Sequence, residues 1–172
     1  MAGGVYDGHT SNEVAQYLAD NFIDVMLGAD AIRTTDNEAL IHGIAKKLDR
    51  DIAYDKLQGG STAVVSFISS TTSFCKKDDA ERNLSYVLHR RRETPITLKA
   101  IRISEDHKPD IESERDRVEN AGAVVLAPSD PADTYRIVRS HTFAGGIAVS
   151  RTFGDFGYKD RRELPAEEQP VS

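Results

Sequence analysis

The sequence predicts an α+β fold in which helices layer over sheets. Three features carry that expectation: paired apolar stripes at helical spacing near the N-terminus, a β-rich run at residues 61–69, and later short strand candidates grouped around a charged helix. At 172 residues, 39% of them hydrophobic, the chain is expected to form a single domain, residues 1–172, with a core of its own.

Taken in order, the chain opens with a short apolar run, Val5-Tyr6, that ends in Asp7-Gly8-His9 and polar Thr10-Ser11-Asn12. Thr10 and Glu13 have capping-box spacing, and Val14, Leu18, Phe22 and Val25 follow on one helical face. A helix is expected to end near Gly28. Thr35 with Glu38 opens a second, whose stripe is Leu40-Ile41, Ile44, Leu48 and Ile52. Gln58-Gly59-Gly60 breaks the helical period. Residues 61–69 carry apolar side chains in both phases, the pattern of a strand buried on both sides.

Residues 71–83 are polar and read as a loop, and residues 84–88 as a short strand. Arg90-Arg91-Arg92 reads as a solvated surface run. Residues 96–103 look like a strand whose alternation slips between Leu98 and Ile101, as at a bulge or at a join between pieces separate in a fuller relative. Residues 104–109 form a turn, and residues 112–120 a charged helix with a glycine stop at Ala121-Gly122. Residues 123–126 and 135–138 are strand candidates around a proline-containing loop. The tail from Lys159 is polar, carries two prolines and reads as a surface loop.

Composition narrows the partners. A net charge of −6 with no evident basic face argues against nucleic acid or an anionic membrane. Cys75 is the only cysteine, so no disulfide framework or thiolate metal site is available. No apolar run approaches transmembrane length, and no basic-then-apolar signal opens the chain. A soluble, intracellular and most simply cytoplasmic monomer is the expectation.

The chemistry concentrates at Asp7-Gly8-His9. Gly8 permits a tight turn that brings its carbonyl close to whatever Asp7 binds. A carboxylate beside a backbone carbonyl makes a hard-oxygen corner suited to Mg²⁺ or Mn²⁺, and His9 could move a proton beside such an ion. An ordinary strand-end turn also explains a bare Asp-Gly, so the corner needs support from the rest of the chain.

That support comes from four ordered segments: Gly4-Val5-Tyr6-Asp7-Gly8-His9; Gly60-Ser61-Thr62-Ala63; Glu105-Asp106-His107-Lys108-Pro109 with the stretch from Glu114 to Gly122; and the run from Ile147 through Arg151-Thr152-Phe153-Gly154-Asp155 to Lys159. Together they resemble the metal-dependent PP2C (PPM) family of protein serine/threonine phosphatases. Residues 168–172 also look like a stretch that follows the last motif in some members. The resemblance implies an α-β-β-α sandwich, two antiparallel sheets flanked by helices, here incomplete. It implies a two-metal site of Mg²⁺ or Mn²⁺ at one end of the sandwich, with Asp7 as bridging ligand and Gly8 binding through its carbonyl. A metal-activated water would attack the phosphorus of phosphoserine or phosphothreonine in a phosphoprotein substrate, and His9 would protonate the leaving oxygen.

The other matched motifs read as structure. Gly60-Ser61-Thr62-Ala63 opens a central strand. Asp106 and His107 read as turn residues rather than ligands. Arg151 and Asp155 flank Gly154 and are expected to pair, with metal ligation the weaker reading of Asp155. His42, His89 and His141 lack ligand partners at recognisable spacing. The chain departs from the family pattern in having no arginine ahead of Asp7, no Gly-Asp-Ser-Arg and no second Asp-Gly or final Asp-Asn. It therefore reads as a truncated member, and a catalytically inactive PP2C-like module acting by partner binding is the alternative function.

Overall fold

A computed structural model describes residues 2–28, 37–68, 73–78, 104, 106–130, 132–139 and 145–172. Its first sheet is centred on the strand with apolar residues in both phases. Strand β1 (Ala2–His9) pairs antiparallel with β2 (Gly60–Ile68), in a register running from Ala2 opposite Phe67 to His9 opposite Gly60. On the other edge of β2 lies β3 (Ser73–Asp78), also antiparallel. Gly60, Ser61, Thr62 and Ala63 are buried in succession, as a strand covered on both faces requires.

Two helices, α1 (Glu13–Gly28) and α2 (Asn37–Asp55), cover this sheet. Their stripes meet it in one cluster: Val14, Leu18, Phe22, Ile44, Leu48 and Ile52 pack with Ala63, Val65 and Phe153. The Phe22 ring meets Phe153 edge-on, with centroids 6.1 Å apart, and Tyr6 packs against it with a tilted ring at 5.9 Å. Each fully buried Leu or Ile here stabilises the fold by roughly 1.5–3 kcal/mol relative to exposure.

The start of α1 differs from the expected capping box. Thr10 adopts a left-handed φ of 66°, which ends β1, so the cap passes to its neighbours. The Asn12 carbonyl accepts the Gln16 N–H at 2.9 Å, and the Ser11 hydroxyl accepts the Glu13 N–H at 3.3 Å. Glu13 instead reaches across to accept the Gln58 N–H at 2.8 Å, tying the helix to the turn that precedes β2.

A second unit gathers around α3 (Glu112–Asn120), β4 (Val124–Leu126) and β5 (Arg136–Val138), with β4 and β5 antiparallel. Ile147 bridges to Ile137 beside them through reciprocal backbone bonds of 2.7 and 3.0 Å. Val118, Ala123, Ile137, Ile147, Val149 and Val171 form the core. The glycine stop of α3 is a Schellman cap: the Gly122 N–H binds the Glu119 carbonyl and the Ala123 N–H binds that of Val118, with Gly122 at φ 81°. Last comes β6 (Phe153–Gly154), antiparallel to β2 at Gly60 and Ser61.

Two expectations are corrected. Residues 71–83 were expected to form a loop, yet they contain β3; the second edge of buried β2 requires backbone partners, and this outweighs the polar composition. The tail is a surface loop only in part: residues 160–168 are mostly exposed, but Gln169, Pro170 and Val171 are buried. The Gln169 amide donates to the carbonyls of Arg161 and Leu164 at 2.6 and 2.9 Å and accepts the Arg161 N–H at 3.1 Å. Ser172 pairs by backbone with Ser150 and Thr152. Thr35, the strand candidates at 84–88 and 96–103, Arg90-Arg91-Arg92, His89 and His141 lie outside the described residues.

Candidate functional site

Sheet register builds the site. Gly60 opens β2 with His9, the last residue of β1, on one side and Gly154 of β6 on the other. Three strand ends therefore lie side by side, and the middle one has no side chain. Asp155 follows Gly154 in a left-handed conformation (φ 50°, ψ 40°), its N–H bound to the Gly59 carbonyl at 3.0 Å. This turn sends its carboxylate back across Gly60 to His9. A Cβ on Gly60 would lie 2.0 Å from Asp155 Oδ2, so glycine is a steric requirement there. Gly154 is equally constrained: it sits at φ 76°, and a Cβ on it would come 2.5 Å from the Gly59 carbonyl oxygen.

Asp155 Oδ2 lies 2.7 Å from His9 Nε2 and accepts the Thr152 hydroxyl at 2.7 Å. An ionised carboxylate only accepts, so Nε2 carries the proton of this pair. The Asp155 side chain is 10% exposed and that of His9 31%, which leaves the imidazole reachable from solvent. The hydrogen bond to Asp155 raises the His9 pKa; burial opposes this, while the charges of Asp155 and Asp7 add to it.

Asp7 is exposed and stands opposite Thr62 in the register. Two residues from His9 on a strand, it shares a face with the imidazole. Gly8 lies between them, opposite Ser61. Among the described residues, no group of three or more acidic, histidine or cysteine side chains is placed to hold a metal ion. The described donor set does not fit two hard cations, each of which takes about six oxygens.

Arg151 and Asp155 do not pair with each other, contrary to expectation. Arg151 goes to Glu114 Oε1 at 2.7 Å, because a second polar cluster competes for it. Buried Glu114 also accepts from Ser150 Oγ at 2.5 Å and Arg117 Nη2 at 2.8 Å. Burial alone would raise its pKa; hydrogen bonds from Arg151 and Ser150 and the Arg117 charge outweigh this and hold it at about 2. Arg117 further binds the Ser150 carbonyl at 2.8 Å and that of Gln169, so the cluster fastens α3 to the tail. Asp106 and His107 lie in the irregular segment just ahead of the turn at Pro109-Asp110 that leads into α3, and the His107 carbonyl oxygen stands 2.8 Å from Ser150 Oγ.

Two contributors were not singled out from sequence. Asp49 accepts the Gly154 N–H and the Lys159 ammonium, each at 2.8 Å, and so fixes β6 from α2. Thr152 orients Asp155 from three residues upstream. The only visible signal for Asp49 was its place beside Leu48 in the α2 stripe.

The profile of the family described as protein phosphatase 2C matches residues 2–172, and the chain belongs to that family, which is metal-dependent. Protein phosphatase 2C homolog 2 of Aspergillus fumigatus is 30% identical over 173 residues, covering 98% of this chain and 35% of that protein. Its namesake in Hypocrea jecorina is 27% identical over 173 residues, with 98% and 34% covered. The chain therefore spans about a third of the length of these curated relatives. A crystal structure of a phosphatase from Toxoplasma gondii superposes with a TM-score of 0.65 at 22% identity, over 99% of this chain and 61% of the other. A C. elegans sex determining protein superposes at 0.61 and 20% identity, over 92% and 36%. These likenesses show the α+β fold of paired antiparallel sheets and helices.

Proposed function

We propose that this chain is a partial PP2C-like domain of a metal-dependent protein serine/threonine phosphatase, acting on phosphoserine or phosphothreonine in a phosphoprotein. The observation that carries this reading is the His9–Asp155 pair beside Asp7 and Gly8. A carboxylate that raises the imidazole pKa favours its protonated form, the form that the protonation of a departing serine or threonine oxygen requires. With Nε2 engaged by Asp155, the transferable proton is the one on Nδ1. We assign Asp7 and the Gly8 carbonyl to Mg²⁺ or Mn²⁺ and draw no step through the ions, because the described donors fall short of a complete site. Among the described residues no helix is long and apolar enough to cross a membrane. A single domain acting as an intracellular monomer is part of the same proposal.

A second reading, a catalytically inactive module that binds a partner, is favoured by one observation. The Asp155 carboxylate is committed to His9 and Thr152 rather than offered to an ion.

Calorimetric titration of Mn²⁺ into the purified chain, with Asp7→Asn as control and p-nitrophenyl phosphate turnover in parallel, separates the two. Saturable binding with turnover, both lost in the variant, supports the enzyme. Absence of both supports the module.

A further inference from the structure

The chain is acidic, with a net charge of −6. Nevertheless, five cationic residues line the cleft between α2 and the segment after β6. It has a volume of about 640 Å³, and its charged lining is Lys46, Arg50, Lys159, Arg161 and Arg162 against one acidic side chain, Asp49. Sequence gives no hint of this, because Lys46 and Arg50 lie more than a hundred residues from the other three.

Three of the five cations are already engaged. Lys159 binds Asp49 at 2.8 Å and the Thr152 carbonyl at 2.6 Å. Arg161 binds Glu163 and the Ala121 carbonyl. Lys46 meets Glu167 at 3.2 Å in a pair more than half exposed on both sides, which is worth little. Arg50 and Arg162 make no ion pair or hydrogen bond with a described residue. They approach from separate elements, Arg50 one turn along α2 from Lys46 and Arg162 on the facing segment.

Like charges gathered around a concave surface concentrate a positive field, and an entering anion relieves their repulsion. Each guanidinium fork binds two oxygens at once, and a phosphate monoester, with three free oxygens and two charges, can be shared between two forks where a carboxylate, with two oxygens and one charge, is satisfied by one. The volume exceeds the needs of a lone phosphate ion and accommodates a phosphorylated side chain with its flanking peptide. We propose that this cleft binds a phosphate monoester dianion on a peptide, clamped between Arg50 and Arg162 with Lys46 at the rim.

The site is separate from the one built on His9: neither Asp7, His9 nor Asp155 lines it. The two share a wall, because Asp49 holds both Lys159 in the cleft and the Gly154 N–H next to Asp155. Binding is read without turnover, so the proposal stands independently of hydrolysis.

The test is titration of a phosphoserine peptide, its unphosphorylated twin and inorganic phosphate into the whole chain by calorimetry, without divalent ions. The same titrations are run on Arg50→Gln/Arg162→Gln, on each single variant, on Lys47→Gln as a charge control and on His9→Gln. Thermal transitions confirm that each variant is folded. The phosphopeptide is expected to bind saturably, with affinity reduced roughly tenfold or more in the double variant and unchanged in Lys47→Gln and His9→Gln. Inorganic phosphate should bind more weakly and show the same dependence on Arg50 and Arg162. Equal binding in the double variant, selective loss in His9→Gln, or equal binding of the unphosphorylated twin would overturn the proposal. Inorganic phosphate binding as tightly as the peptide would overturn the peptide assignment.

Discussion

Asp155 Oδ2 stands 2.7 Å from His9 Nε2, joining two residues 146 positions apart in the chain. The contact exists because Gly60, between their strands, has no side chain to separate them. Replacing Asp155 by Asn should lower the His9 pKa towards the ordinary 6.5, since the hydrogen bond to Asp155 is the main cause of its rise. Histidine ring resonances followed against pH by NMR give the direct readout, and an unmoved titration would contradict the assignment. The sign for stability follows. A folded pKa raised above the unfolded one means the pair stabilises fully below pH 6.5 and loses that contribution as pH rises through the folded value. The stability gap between the native chain and Asp155→Asn should therefore narrow on going alkaline.

Gly60→Ala tests the steric half of the same arrangement. The new Cβ, 2.0 Å from Asp155 Oδ2 and 2.4 Å from its Cγ, forces the carboxylate away from His9. We expect a loss of about 1–3 kcal/mol, typical of overpacking, together with an ordinary His9 titration. Thermal unfolding and the NMR titration read the two effects separately. Stability lost with the His9 shift intact would show that Asp155 can keep the bond by another route.

Glu114→Gln removes the carboxylate that joins Arg117 to Arg151. Leaving buried Arg117 without its counter-charge should cost about 3 kcal/mol or more. In the native chain the Glu114 pKa falls from 4.5 to about 2, so its contribution is present above pH 4.5 and is lost as pH falls towards 2. Acid unfolding curves should differ accordingly: the variant starts lower at neutral pH and declines less steeply over that window.

At Gly122, the Schellman cap holds a φ of 81° that an L-residue adopts with strain. Gly122→Ala should cost about 1–2 kcal/mol. For a chain of this size each kcal/mol lowers the melting temperature by roughly 2–4 °C. A melting temperature equal to that of the native chain would show that the turn relaxes without penalty.

Much of the fold was legible because it is local. The stripe at Ile41, Ile44, Leu48 and Ile52 repeats at helical spacing, and its members are buried in the core. The Gly122 stop is likewise written in neighbouring residues. What stayed illegible depends on partners distant in sequence. Residues 73–78 lie in a largely polar stretch and become a strand because β2 presents an edge. Glu13 has the spacing of a capping box, yet Gln58 offers it a backbone N–H from 45 residues away.

The candidate site divides the same way. Sequence alone marked Asp7-Gly8-His9 and, with the other ordered motifs, the family; these are properties of residue type and order. Which carboxylate steadies His9, and which acid claims Arg151, were tertiary decisions. The register of β1, β2 and β6 brings Asp155 to His9 over a bare glycine, while burial of Glu114 makes it the acid that most needs cations. A hydrogen bond of 2.7 Å or a desolvated carboxylate depends on distance and burial, and chain order specifies neither until the strands have paired.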